Sequence, residues 1–396
     1  MKEKQVSYRL KLIFSIFLGL IISFITLYLF GKFMPRTIVV EFTVFILYVS
    51  LILILVLWNI IKSKHINLLL CIPIIYIVGS IAIIGNSRYK KYINGIPRMV
   101  ERNEEFMYQP FVEYNRLARL DEESKLKITD NLPVLDGATA FYPVYASFVQ
   151  AVYPEGIYHY WDENSPVLCS RTPNAYKNLL EEKADIIFCL EPSETQKKQF
   201  HENGLNLKFA AIGREAFVFF VNKKNPVNNL AINEIYGIYS GQITNWKKLN
   251  GANQSIRAYQ RSVNSGSQTI FEKIMNNIPI MEPKRENVVA GMDMLINEVA
   301  NYRNFNNAIG YSFLFYSTEM VQNNQIKLLS IDGIYPSRET VHDDSYPFKE
   351  NIYAIYIDDD NKNENIELFI EWILSRQGQE LIAKTGYIPV INRYEN

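Results

Sequence analysis

The chain predicts an α/β fold, a parallel or mixed sheet flanked by helices, carried behind three membrane-spanning helices. Three observations lead there. The first 86 of 396 residues are largely apolar, whereas the remainder has the mixed composition of a globular domain. From about residue 130, runs of strand character alternate with runs of helical period. Small or hydroxyl-bearing turns occupy several of the strand-to-helix junctions, which is where open α/β sheets place ligands.

Residues 10–30, 37–61 and 66–86 form three apolar runs. Each is long enough to cross a hydrocarbon core of roughly 30 Å as a helix. Glu41 is the only acid inside them, and it lies near one end of its run, within reach of the interface. Short loops around Lys32-Phe33-Met34-Pro35-Arg36 and Lys62-Ser63-Lys64-His65 force antiparallel neighbours. A cleaved signal peptide is disfavoured, because no small-residue cleavage site follows the first run and two further runs do. Lys2, Lys4, Arg9, Lys11, Lys62 and Lys64 outweigh Lys32, Arg36, Arg88, Lys90 and Lys91. That bias sets the N-terminus inside and everything after Asn86 outside the cell. The expectation is a multi-pass protein of the cell membrane with an extracellular domain. A three-helix anchor in the lipid bilayer covers 1–86, a stalk with some helix over 97–118 covers 87–127, and an α/β domain covers 128–396.

Formal net charge is zero, so there is no global pull toward nucleic acid, and no such partner is expected. Cys71 lies in the middle of an apolar run without the small residue of a lipid-attachment site. Cys169 and Cys189 either pair or remain buried free thiols, since sequence cannot place them at bonding distance. His65, His159, His201 and His342 are scattered without metal-ligand spacing. No metal and no cofactor is expected.

In order, Leu132-Pro133-Val134-Leu135-Asp136-Gly137 predicts a strand meeting a turn, with a helix over 142–152 behind it. A helix over 175–182 carries apolar Leu179 and Leu180. Residues 184–190 predict a buried strand, and 216–221 another, ended by Asn225-Pro226. A short helix over 232–239 closes at Ser240-Gly241. A terminal amphipathic helix over 369–385 stops at Gly386.

The stretch Arg261-Ser262-Val263-Asn264-Ser265-Gly266-Ser267-Gln268-Thr269 opens a further helix. The first N–H groups of a helix lack intrahelical partners, and the macrodipole makes that end positive. Ser265 and Ser267 add hydroxyls, Gly266 permits close approach to the backbone, and Arg261 adds a planar fork of donors. Together they form a plausible anion cradle. The plain alternative is an ordinary serine N-cap with Arg261 solvated. Three more junctions, Gly137-Ala138-Thr139-Ala140, Ser170-Arg171-Thr172-Pro173 and Glu191-Pro192-Ser193-Glu194, point to a cleft floored by helix N-termini.

At these residues the chain resembles the phosphate-binding proteins of phosphate ABC transporters, a family with the type II periplasmic-binding-protein fold. The resemblance runs from residue 132 to 391. It rests on Asp136-Gly137-Ala138-Thr139, Tyr142-Pro143-Val144-Tyr145, Ile238-Tyr239-Ser240-Gly241-Gln242-Ile243-Thr244-Asn245-Trp246, the arginine–serine turn, Asn307-Ala308-Ile309-Gly310-Tyr311 and Gly386-Tyr387-Ile388-Pro389-Val390. It implies two lobes joined by crossing strands, the first over 128–215 and 343–396, the second over 216–342, closing on a ligand by a hinge.

The resemblance further implies a site. The Thr139 hydroxyl and the Ala140 N–H would hold the anion from one side, with Thr172 in the place of a serine ligand. Arg261 with Ser265, Gly266 and Ser267 would hold it from the other. Glu191 falls where phosphate-specific members have an aspartate that accepts a hydrogen bond from protonated phosphate and repels sulfate. Glu191 is one methylene longer and could pair with Arg261. Ser170 either faces the cleft or caps a helix. Arg214 either adds a cation to the cleft or forms a salt bridge. The usual serine–glycine turn is replaced by Arg171-Thr172-Pro173-Asn174, which lacks the glycine. Tyr142, Tyr145, Trp246, Trp372 and Tyr387 read as packing residues. The implied function is that of a membrane-anchored solute-binding protein that captures phosphate or a related oxyanion for an ABC permease. The alternative is a membrane-tethered sensor or scaffold on the same fold. An enzyme is not expected, because no metal set or activated nucleophile is evident.

Overall fold

The computed structural model describes residues 85–86, 104–283, 287–289, 306–321, 323–359 and 363–390. The chain divides into two compact units, Met1–Gly95 and Ile96–Asn396. Of the first, residues 85 and 86 are described, both helical and exposed. Apart from these two positions, the three expected spans lie outside the described residues. Among the described residues no helix is long and apolar enough to cross a membrane.

In the second unit, six strands form the main path of a mixed sheet. They are β1 (Leu135–Gly137), β2 (Ile186–Cys189), β3 (Leu207–Asn222), β4 (Arg257–Ala258), β5 (Ala308–Phe313) and β6 (Lys349–Ile357). Their order is β1-β2-β6-β3-β5-β4. The β1–β2 and β4–β5 pairs are parallel, and the others on this path are antiparallel.

Strand β3 runs for 16 residues and belongs to two half-sheets. Through Ala216 it pairs with β6, and from Phe217 it pairs with β5. The return passage enters β6 at Lys349, opposite Ala216. Two α/β halves therefore meet along one strand. The expected strand covered only 216–221. Its first part carries Lys208 and an exposed Phe209 among half-buried residues, so no clean alternation marks it in the sequence.

Among the described residues, the helices of eight or more residues are α1 (Tyr142–Val152), α2 (Thr172–Leu180), α3 (Glu194–Glu202), α4 (Ile232–Tyr239), α5 (Gly266–Ile274), α6 (Asn365–Leu374) and α7 (Arg376–Thr385). Helices α1 and α4 have the expected bounds. Pro143 sits in the first turn of α1, where a missing N–H leaves no bond unmade. The expected single helix over 369–385 is instead two. Ser375 breaks it with an extended backbone (ψ 170°), and its hydroxyl donates to the Trp372 carbonyl at 2.6 Å. A Cβ on Gly378 would come within 2.2 Å of the Ile373 carbonyl oxygen. Only glycine permits so close a return.

The expected stalk also differs. Tyr108, Leu117 and Ile128 are buried. The Phe111 N–H donates to Gln150 at 2.8 Å, the Lys125 N–H donates to Gln377 at 2.9 Å, and Lys384 pairs with Asp121 at 2.6 Å. From residue 105 onward the segment is thus part of the folded domain. In place of the helix expected over 97–118, the described part holds one 3-10 turn, Glu104–Tyr108. Pro110 follows after Gln109, and the residue before a proline disfavours helical backbone.

Aromatic packing holds each half. In the first, Tyr145 stacks on Phe188 with ring centroids 4.8 Å apart; in the second, Phe271 stacks on Tyr311 at 4.6 Å. Tyr142, Tyr145, Trp246, Trp372 and Tyr387 are buried as expected. Cys169 and Cys189 are free thiols.

Candidate functional site

The first wall of the site begins at the end of β1. A Cβ on Gly137 would lie 2.7 Å from the Phe188 carbonyl oxygen, so β1 and β2 approach as only glycine allows. The chain then enters the 3-10 turn Thr139–Phe141, which runs into α1. Asp136 is fully buried beneath this turn. Its carboxylate accepts from the Gly137 N–H (2.7 Å), the Ser170 N–H (2.8 Å) and hydroxyl (2.5 Å), and the Asn178 amide (2.8 Å). Burial pushes this carboxyl above its ordinary range, and the donors of Ser170, Asn178 and Gly137 pull it back. The Ser170 hydroxyl is thereby committed to Asp136. It positions the approach to α2 and does not line the cleft.

Thr172 opens α2, with Pro173 in the first turn. The residue before it, Arg171, has φ 74°, a region that costs a side-chain-bearing residue of order 1–3 kcal/mol. The glycine missing from this turn is therefore missing only as a residue: the backbone still takes the conformation glycine favours.

The second wall is α5 and the strand before it. The Ser265 hydroxyl caps α5 by accepting from the Gln268 N–H at 3.3 Å. Arg261 is only 8% exposed, and its N–H is held at 3.0 Å by both Gln268 Oε1 and the Tyr311 hydroxyl. Gln268 in turn donates to Glu272 at 3.1 Å. The Ser267 hydroxyl is buried and has no hydrogen-bond partner among the described residues. Such a group normally finds one in the protein or in a bound molecule.

These walls enclose a cavity of about 230 Å³. Of the expected site residues, Thr139, Ala140, Thr172, Arg261, Ser265, Gly266 and Ser267 line it together. One expectation turns out differently, and for Arg214 one of the two alternatives is selected. Glu191 is not among the lining residues; its carboxylate faces Lys273 at 3.8 Å. Arg214 pairs with Asp344 at 2.9 Å, which leaves the salt-bridge alternative in place of a cleft cation. Polar lining residues that were not anticipated as site residues include Glu105, Arg171, Asn174, Ser262 and Tyr316. Arg171 and Ser262 carried a signal, since each neighbours a predicted helix start. Glu105 carried none, because the turn that bears it reaches the cleft only through tertiary packing.

The walls touch around the cavity. A Cβ on Gly266 would meet the Thr172 hydroxyl at 3.0 Å. The Ser193 hydroxyl donates to Asn264 at 2.9 Å, Lys273 pairs with Glu350 at 2.9 Å, and the Phe141 and Phe313 rings lie 5.9 Å apart. Helix N-termini, hydroxyls and two arginines converge from both halves, an arrangement suited to a small oxyanion.

Comparison with known proteins bears on the family and the fold. The chain is 22% identical over 181 residues to the phosphate-binding protein PstS of Borreliella burgdorferi, covering 44% of this chain and 63% of that protein. It is 23% identical over 201 residues to PstS of Staphylococcus aureus strain USA300, covering 49% of this chain and 60% of that one. The matches thus span about three-fifths of these relatives' length. Among solved structures, a substrate-binding protein assigned to a phosphate ABC transporter of Clostridium perfringens, crystallised with phosphate, aligns with TM-score 0.50 and 24% identity. That alignment covers 67% of this chain and 100% of the other, and it shows a shared fold. Residues 134–377 match the family model of the PBP superfamily domain, more than half of the chain, and the protein belongs to that superfamily.

Proposed function

We propose that this protein is a solute-binding protein that captures phosphate or a closely related oxyanion in the cleft between its halves, and that it delivers the anion to an ABC importer. One observation carries the reading: buried Arg261 and the Ser267 hydroxyl, which has no hydrogen-bond partner among the described residues, share a cavity with Thr139 and Thr172 of the opposite wall. Thr139, Ala140, Thr172, Arg261, Ser265, Gly266 and Ser267 are the proposed ligand contacts, with Arg171 and Ser262 beside them. The relatives are phosphate-binding proteins, which favours phosphate. The protein acts as a binder and not as an enzyme. The apolar runs before residue 87 support an anchored, multi-pass form with the binding domain outside the cell, next to a permease.

The test is calorimetry on the full-length chain in detergent with phosphate, and with sulfate as control. Micromolar or tighter binding of phosphate is expected. No heat with either anion would sink the reading. Deletion of the protein should lower phosphate uptake by the cell. Intact uptake with an altered expression response would move the role to a sensor or scaffold.

A further inference from the structure

We infer that Ser193 and Glu191 of the first half and Asn264 and Lys273 of the second are positioning residues, which clasp the two walls together at the edge of the cleft and slow release of the ligand without touching it. This rests on the reading of the cleft as an oxyanion site.

The turn Glu191-Pro192-Ser193-Glu194 has the sequence of an anion-binding helix start, yet none of its four residues lines the cavity. Leu190 does line it, so the chain leaves the cleft at Glu191. The donors at the start of α3 are used locally. The Ser193 N–H donates to Gln196 Oε1 at 2.8 Å, and the Ser193 hydroxyl accepts from the Gln196 N–H at 3.3 Å, a reciprocal cap. A hydroxyl has one proton to give. That of buried Ser193 goes to Asn264 Oδ1 in the other half, at 2.9 Å.

Asn264 stands in the turn that carries the donors of the second wall. Arg261, Ser262 and Ser265 line the cavity, and Asn264 among them does not. Its backbone is left-handed, with φ 64°, a conformation that asparagine adopts more readily than most residues. The turn therefore presents its arginine and serines to the cleft and its asparagine side chain to the opposite half. The bond to Ser193 fixes that presentation.

Lys273, at the far end of α5, makes a second crossing. It is anchored by Glu350 at 2.9 Å, near the start of β6 and opposite Glu215 at the joint. From there it faces Glu191 at 3.8 Å. Ligand can leave only when the walls part, and parting them breaks the Ser193–Asn264 bond and separates Glu191 from Lys273. Contacts made after encounter act on dissociation and leave association unchanged. A neutral hydrogen bond corresponds to a rate factor of about 5. A half-exposed ion pair corresponds to about 2 and fades in salt.

The test uses the full-length protein in detergent. Release of labelled phosphate is timed in a chase with unlabelled phosphate, and calorimetric affinity then gives the association rate. Asn264→Gly keeps the left-handed backbone and removes only the side chain. It should release phosphate about 5-fold faster and associate at the wild-type rate. Ser193→Ala also loses the cap of α3, so it is read as a cycle: added to Asn264→Gly, it should speed release no further. Glu191→Gln leaves the Lys273–Glu350 bond in place, and should release about 2-fold faster in low salt and like the wild type in high salt. A wild-type release rate in Asn264→Gly would overturn this inference alone. So would a loss confined to association, or single effects of Asn264→Gly and Ser193→Ala that multiply in the double variant. A wild-type rate for Glu191→Gln in low salt would strike Glu191 and Lys273 from the clasp. Absence of phosphate binding by the wild type would remove the oxyanion reading, and this inference with it.

Discussion

The wall built around α5 keeps its cation buried, whereas the wall built around α2 leaves its cation in water. Arg261 is 8% exposed, and its backbone is clamped by Gln268 and Tyr311. Arg171 is exposed and sits on a backbone that disfavours a side chain. A buried, pre-positioned fork keeps most of its attraction for an anion at any salt concentration. An exposed one is screened within a Debye length of about 8 Å at physiological ionic strength. On the proposed reading the same charge would have two uses: Arg261 to hold the anion, and Arg171 to draw it in.

The largest effect that would test this contrast is at the joint between the walls. Glu215 is buried in β3 and accepts from the Ala216 N–H at 2.8 Å and from the Phe315 N–H at 3.3 Å. Burial pushes its carboxyl up to about 8, against the opposing pull of these N–H groups. Below its ordinary value of 4.5 the carboxyl is protonated folded or unfolded, and the protein keeps this contribution in full. As pH rises toward about 8, the unfolded chain releases the proton and the folded chain retains it. Stability therefore falls through that window, by on the order of 4 kcal/mol at roughly 1.4 kcal/mol per pH unit. Glu215→Gln should flatten this part of the profile, as read from melting temperatures at pH 5 and pH 8. A variant with the wild-type slope would show that the joint does not carry the titration.

Next in size is Arg261→Ala, which should weaken phosphate binding at least about 100-fold, or roughly 3 kcal/mol, since several charge-assisted bonds go at once. Unchanged calorimetric affinity would erase the distinction between the walls. Gly266→Ala should cost about 10-fold, because the new methyl meets the Thr172 hydroxyl at 3.0 Å and holds the walls a few tenths of an ångström apart. An affinity within twofold of wild type would mean that the cleft has slack there. The smallest effect is expected for Arg171→Gly: a gain of about 1 kcal/mol in stability from relieved backbone strain. Phosphate association should slow a few-fold and lose most of its salt dependence. Slower association with an unchanged salt slope would assign Arg171 a contact and not a steering role.

The second wall was legible in the sequence because its chemistry is local. A serine cap, a glycine and an arginine within seven residues state their purpose without reference to the rest of the chain. Helix α1 was legible for the same reason: its proline falls in the first turn of a nearly continuous apolar run. Other features depend on what lies across the fold. Nothing in the neighbours of Glu105 shows that its turn packs against the cleft. The reach of Glu191 toward Arg261 was plausible along the chain, yet Lys273 offers it a cation instead. The break at Ser375 was hidden because apolar residues continue on both sides of it, from Ile373 to Leu381 and Ile382. Only the closeness of Gly378 to Ile373 exposes it.

The position of β6 sets a timetable for the growing polypeptide. In the sheet it lies between β2 and β3, although it is made about 130 residues after β3 ends. Until residue 357 has left the ribosome, the first half lacks its central strand, and the facing edges of β2 and β3 are bare. Open strand edges recruit other chains, and domains generally fold in the order in which they are made. The second half, whose strands β4 and β5 precede residue 314, can close first. The half that is translated earlier is then the one that finishes last, and a nascent chain stalled in between presents an incomplete sheet to whatever factors attend its synthesis.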